Sequence, residues 1–198
     1  MLVVGLTGGI GSGKSSVSSR LVDRGAVLID ADALVREVQA KDGPAFGPIV
    51  DHFGADVVGP DGSLDRQALA AIVFKDKDQM AILTGITYPL LTERMAQKLA
   101  AEAETDHVVV LDIPLLVEST RESAAQHVIV VDCPEDVAVA RLVQFRDFSE
   151  ADARARIAAQ ASRQERLARA DFVIDNSGDL AALDAEVDRC WTWLQTLA

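Results

Sequence analysis

Five short runs of apolar, mostly β-branched residues punctuate the chain: MLVVGLT (1–7), AVLID (26–30), HVVVLDIP (107–114), HVIVVDCP (127–134) and DFVIDN (171–176). None alternates cleanly between apolar and polar positions. Near-continuous apolar runs suit strands buried on both faces, so the pattern predicts a parallel sheet covered on each side. Between the runs the apolar period lengthens. In KSSVSSRLVDRG, Val17 and Leu21 lie four apart, and Gly25 stands where a helix C-terminus favours a left-handed residue. SEADARARIAAQASRQERLARAD opens with Ser149 and Asp152 at capping-box spacing, which predicts one long arginine-striped helix. In the last segment Leu183, Val187, Trp191 and Leu194 share a face. That phase puts Trp191 in the core and leaves Trp193 partly exposed.

Strand and helix alternate except over residues 33–106. There SLDRQALAAIVF and YPLLTERMAQKLAAEAE read as helices and FGADVVGPDGSLD as turns, so this stretch is an all-helical insertion far longer than an ordinary connection. The fold expected is a three-layer α/β/α domain. A five-stranded parallel sheet with right-handed crossovers forms its centre, and it carries the insertion.

Charge narrows the range of partners. A formal net charge of −12 argues against a general nucleic-acid binder or an anionic-membrane binder, because the long-range field repels both. The most apolar stretch, VVVLDIPLLV, is too short to span a bilayer and is interrupted by Asp112, and no targeting segment is evident. Two cysteines, Cys133 and Cys190, make no disulfide framework and suit a reducing cytoplasm. An acidic protein that handles an anion must gather its positive charge locally. Seven of the 19 lysines and arginines are arginines between 141 and 169, with four acids in the same window. Most of these arginines read as a solvated face held by ion pairs. Arg141 and Arg146 are the exceptions, placed where a lid would hinge.

The chemistry concentrates in GLTGGIGSGKSS, residues 5–16. Gly8-x-x-x-x-Gly13-Lys14-Ser15 is a complete P-loop signature that follows a buried strand and opens a helix. Glycines let successive N–H groups turn inward onto phosphate oxygens, and the helix adds its positive end. Lys14 then reaches the β- and γ-phosphates and the Ser15 hydroxyl ligates Mg²⁺, so the chain binds a nucleoside triphosphate. The chain lacks a GTPase NKxD element, and Ile113 follows Asp112 where an AAA-type ATPase has a second acid. A small-molecule kinase remains, with a nucleotide-dependent binding protein that does no catalysis as the rival class. The second strand ends in LIDADALVREV, placing Asp30 and Asp32 at the ligand crevice of an open sheet. A carboxylate there accepts a hydroxyl proton or helps hold Mg²⁺, and Asp30 reads equally as a helix N-cap.

GLTGGIGSGKSSV, IDADALVREV, DGSLDRQALAAIVF, DIPLLVE and ARIAAQASRQERLARADFVIDNSG, in this order and spacing, resemble the dephospho-coenzyme A kinase family over essentially the whole chain. The resemblance implies ATP-dependent phosphorylation of the ribose 3′-hydroxyl of dephospho-CoA, with Mg²⁺, in the cytoplasm. It implies a nucleotide-binding core of about 1–32, 107–140 and 166–198, a CoA-binding insertion of about 33–106, and a lid of about 141–165. The implied nucleotide contacts are Gly8, Gly11, Ser12, Gly13, Lys14, Ser15 and Ser16, with Asn176 bordering the adenine. Asp32 matches the general base, Arg141 and Arg146 serve transfer, and Asp112 assists the metal held by Ser15. The acceptor meets Asp32, Arg36, Tyr88, Pro114, Leu115, Leu116 and Glu118. Tyr88 replaces the histidine usual before Pro89, and Phe145 takes a place often held by arginine. The expected partners are the two small-molecule substrates alone, with the chain a monomer or weak homo-oligomer.

Overall fold

The computed structural model describes residues 1–113 and 125–197 of the chain. The strands are β1 (Leu2–Gly8), β2 (Val27–Asp30), β3 (Val108–Asp112), β4 (His127–Asp132) and β5 (Phe172–Asp175). They form one sheet in the order β2-β3-β1-β4-β5. β1 runs parallel to both β3 and β4, and β4 runs parallel to β5, so all five predicted strands enter a parallel sheet. Every residue of β1 and β3 is buried, as their unbroken apolar runs require.

The chain divides into two compact units, Met1–Ile29 with Glu102–Ala198, and Asp30–Ala101. In the first unit, α1 (Lys14–Asp23) and α9 (Leu180–Gln195) cover one face of the sheet. Val17 and Leu21 from α1 meet Leu183, Val187, Cys190 and Leu194 from α9 over Val4, Leu6, Val110, Ile129 and Ile174. Val3, Val109, Leu111 and Val130, of opposite phase, are equally buried. Trp191 and Trp193 both pack partly buried against the core, and the Trp193 ring lies 5.0 Å from Phe172. Phe172 sits at the edge strand, where an out-of-phase aromatic finds a partner.

After β4 come α6 (Glu135–Arg146), α7 (Glu150–Ala158) and α8 (Arg163–Leu167). The single long helix expected from residue 149 is therefore two. Ser149 caps α7 by accepting from Asp152 N, as its spacing predicted. A second box interrupts the run: the Ser162 hydroxyl accepts from Glu165 N, and Glu165 accepts from Ser162 N at 2.8 Å. The sequence SRQE restarts the helix because it satisfies its own first amides.

The second unit holds α2 (Ala31–Val38), α3 (Phe46–Phe53), α4 (Arg66–Val73) and most of α5 (Lys77–Glu102). Ile49, Val57, Leu69 and Val73 form its core, with Met80, Leu83, Ile86 and Leu90 packed against them at helical spacing. α5 begins 11 residues before the expected start at Tyr88 and runs through Pro89. The apolar stripe on both sides of Pro89 offsets the missing N–H. The turn-rich stretch closes on an isolated antiparallel bridge between Val58 and Leu64. Among the described residues, no helix is long and apolar enough to cross a membrane.

Candidate active site

β1 delivers the chain at Gly8 into a loop of defined geometry. Ser12 N donates to Gly9 O at 3.0 Å, and Gly11 has φ +79°. This is a type II turn with Ile10 and Gly11 at its centre, and its third position needs positive φ. A Cβ on Gly11 would stand 2.7 Å from the backbone oxygen of Ala138 in α6, so the glycine also permits the close approach. Gly13, at φ +84°, caps α1 without a side chain. The N–H groups of Gly11, Gly13, Lys14 and Ser15 consequently find no acceptor among the described residues. Four converging donors at a helix start form an anion cradle. Inside it the Ser12 hydroxyl is buried and lacks a partner among the described residues, an orphan that a polar ligand or water would satisfy.

The floor of the loop is held from two sides. The Ser12 carbonyl accepts from Asn176 Nδ2 at 2.7 Å, just past β5, and from Arg141 Nη1 at 3.4 Å, in α6. Asn176 is buried, so its amide fixes the loop. Lys14 forms an ion pair with Asp112, at the end of β3, whose side chain is only 6% exposed. Ser15 Oγ and the Asp112 carboxylate are hard oxygen donors of the kind Mg²⁺ prefers. Among the described residues no group of three or more His, Cys, Asp or Glu that could hold a metal ion is found.

The α7–α8 segment meets the loop from above. Gln160 Oε1 accepts from Ile10 N at 2.9 Å. The Arg166 guanidinium lies against Gly9, where a Cβ would stand 2.7 Å from Nη2, and it also donates to Ala161 O. Arg163 grips Asp132, at the end of β4, through three contacts of 2.6–3.0 Å. A cavity of about 620 Å³ lies between the loop, the end of β4 and this segment. Cys133 borders it, and burial pushes its thiol above the ordinary range, with Arg141 pulling the other way. Arg163 and Arg166, grouped by sequence with the solvated arginines, thus sit at the loop. Arg146, expected there, is exposed and lines a separate surface depression with Phe148 and Arg156. Helical phase alone does not say which arginines dock. The second capping box at Ser162 was the available signal, because it resets the phase.

In the second unit, Asp30 is the N-cap of α2, accepting from Ala33 N at 3.0 Å. That leaves Asp32, exposed in the first turn, as the carboxylate without a capping duty. Arg36 is exposed in the last turn of α2, and Tyr88 is exposed along α5. Buried Gln39 joins three helices: its Nε2 donates to Thr87 Oγ1 at 3.1 Å, and its Oε1 accepts from Arg66 Nη1 at 2.9 Å. Neither Gln39 nor Arg66 was singled out by sequence. Pro114, Leu115, Leu116 and Glu118 lie outside the described residues.

A glycine loop at the end of the central strand of a 2-3-1-4-5 parallel sheet, with an arginine-bearing helical segment over it, defines a small-molecule kinase of the P-loop type. A solved structure, TT1252 from Thermus thermophilus, aligns with TM-score 0.82 and 32% identity over 98% of this chain and 97% of that one. The dephospho-CoA kinase of Campylobacter jejuni shares the fold, with TM-score 0.74 and 24% identity over 97% and 96% of the two chains. The family profile for dephospho-CoA kinase matches residues 2–182. A dephospho-CoA kinase from Streptomyces avermitilis is 50% identical over 191 residues, covering 96% of this chain and 93% of its own. The chain belongs to the dephospho-CoA kinase family.

Proposed function

We infer that the chain transfers the γ-phosphoryl group of ATP to the ribose 3′-hydroxyl of dephospho-CoA, giving CoA and ADP, the last step of coenzyme A biosynthesis. The observation that carries this reading is the family match across residues 2–182, which includes both the open amide cradle and the helical unit. In the reaction the acceptor oxygen forms a bond to the γ-phosphorus while the bond to the β,γ-bridging oxygen breaks, and the hydroxyl proton passes to the Asp32 carboxylate. Lys14 exchanges Asp112 for the β- and γ-phosphates, and the loop amides bind the triphosphate. Arg141, held against the Ser12 carbonyl of the loop, neutralises charge that develops in transfer. Mg²⁺, held by Ser15 with Asp112 nearby, supplies further charge neutralisation when bound. Arg36, Tyr88 and residues 114–118 contact the acceptor, and Asn176 supports the nucleotide side. Two unpaired thiols suit a reducing cytoplasm, where both substrates occur.

Incubation with MgATP and dephospho-CoA, followed by mass analysis, should show CoA with an equal amount of ADP. ATP consumption stimulated by another acceptor, with no CoA formed, would sink the assignment.

A further inference from the structure

We propose that Gln160 is a positioning residue for phosphoryl transfer: it takes the Ile10 N–H of the phosphate loop and thereby fixes Arg166 over Gly9. The inference rests on the kinase reading above and adds a residue to it. The loop amides divide by partner. Those of Gly11, Gly13, Lys14 and Ser15 are open, that of Ser12 closes the turn onto Gly9, and that of Ile10 is bound to Gln160 at 2.9 Å. An N–H already aimed at an amide oxygen is not organised for phosphate, so the tip of the loop serves the α7–α8 segment.

Gln160 is well placed for this. Its own N–H donates to Ile157 O at 3.2 Å as α7 ends, so its backbone is held where the helix stops. Ile157 packs with Ile10, Phe148 and buried Ala153 in one apolar cluster, which brings the same loop residue under α7 by its side chain. Beyond Gln160, the Arg163–Asp132 pair anchors the start of α8 to the end of β4. Arg166 then has its guanidinium against Gly9 and forms no ion pair with a carboxylate among the described residues, acting on Glu165 only at longer range. Its charge is therefore available to a phosphoryl group at the loop. A neutral amide suits the tether, since a carboxylate would accept the same N–H but repel the triphosphate.

The turn geometry supplies a clean test. Ile10 occupies the second position of a type II turn, where proline is favoured, so Ile10→Pro removes the N–H and keeps the turn. Ile10→Ala keeps the N–H and removes only side-chain packing. Gln160→Ala, Ile10→Pro and the double variant form a double-mutant cycle, read as kcat at saturating ATP and dephospho-CoA. Each single variant should lower kcat about tenfold, the double no further, with KM for dephospho-CoA within about twofold. Ile10→Ala, which keeps the N–H and loses packing, should lower kcat less than Ile10→Pro. Exchange of the Ile10 amide, followed by NMR in the protein without substrates, should quicken at least about tenfold in Gln160→Ala. Wild-type kcat in Gln160→Ala, multiplicative losses in the double variant, or unchanged Ile10 exchange would each overturn the proposal. The exchange readout needs no acceptor. A wild type that consumes ATP with another acceptor therefore overturns the substrate assignment alone, and the cycle is then read on that turnover.

Discussion

Gly11→Ala tests whether the loop is built by contact as well as by conformation. An alanine at φ +79° carries a left-handed strain of roughly 1–2 kcal/mol. Its Cβ would also meet Ala138 O at 2.7 Å and Ala138 C and Cα at 3.2 Å. These are backbone atoms of a packed helix and cannot swing aside, so overpacking adds about 1–3 kcal/mol. Restriction of the unfolded chain returns about 0.4–1 kcal/mol, leaving a net destabilisation of roughly 1–4.6 kcal/mol. Gly25 provides the internal control: it has φ +105°, but a Cβ there meets nothing within 4 Å. Gly25→Ala should carry strain alone, net about 0–1.5 kcal/mol. Gly85, within α5 and equally open, should gain about 0.5–1 kcal/mol as alanine. Urea midpoints at constant m should therefore rank Gly11→Ala lowest, Gly25→Ala next, then wild type, then Gly85→Ala. ATP affinity should fall only in Gly11→Ala. If Gly11→Ala and Gly25→Ala unfold within about 0.5 kcal/mol of one another, close approach to α6 does not shape the loop.

Three further outcomes are expected. Lys14→Ala should weaken ATP binding at least about tenfold by calorimetry and abolish turnover, and unchanged affinity would contradict the phosphate cradle. Asp32→Asn should lower turnover about a hundredfold while ATP affinity and thermal stability hold, because Asp32 is exposed and caps nothing; near-normal turnover removes it as the base. Burial holds the Cys190 thiol up at about 12. With folding favouring the protonated form, its contribution to stability is full below about pH 9 and declines as the pH rises towards 12. At pH 8 only about one Cys190 in 10⁴ is thiolate, so a disulfide reagent should label it slowly in the native protein and fast in denaturant. Rapid native labelling would show that the α9 face opens.

The parts of the fold legible in sequence were those written in local pattern. Five unbroken apolar runs became five parallel strands, and the glycine-lysine spacing marked the cradle. What escaped depended on tertiary placement. The run from Ser149 reads as one helix because its arginines keep helical spacing across Gln160 and Ala161, and only the competing cap at Ser162 breaks it. Once broken, the register that put Arg163 and Arg166 with the solvated arginines no longer applies. The family resemblance pointed to Asn176 only as a residue bordering the adenine. Its hold on the Ser12 carbonyl was not legible, since it joins residues 164 apart in sequence. The stretch from Tyr88 reads as a helix, and the apolar stripe on both sides of Pro89 extends α5 back to Lys77.

The distribution of ion pairs has a kinetic consequence. Arg20, Arg24, Arg94, Arg154, Arg163 and Arg189 each form an ion pair with a carboxylate, whereas Arg141 and Arg166 beside the loop form none among the described residues. With a net charge of −12, the distant field opposes any polyphosphate, and attraction begins only at the mouth of the cradle. Mobile ions at physiological strength screen the outer repulsion beyond about 8 Å while leaving the short-range donors almost untouched. Encounter with nucleotide is thus slowest in dilute buffer, the reverse of a protein that draws its ligand in from afar. Extended polyanions meet the same repulsive shell over a longer stretch of charge.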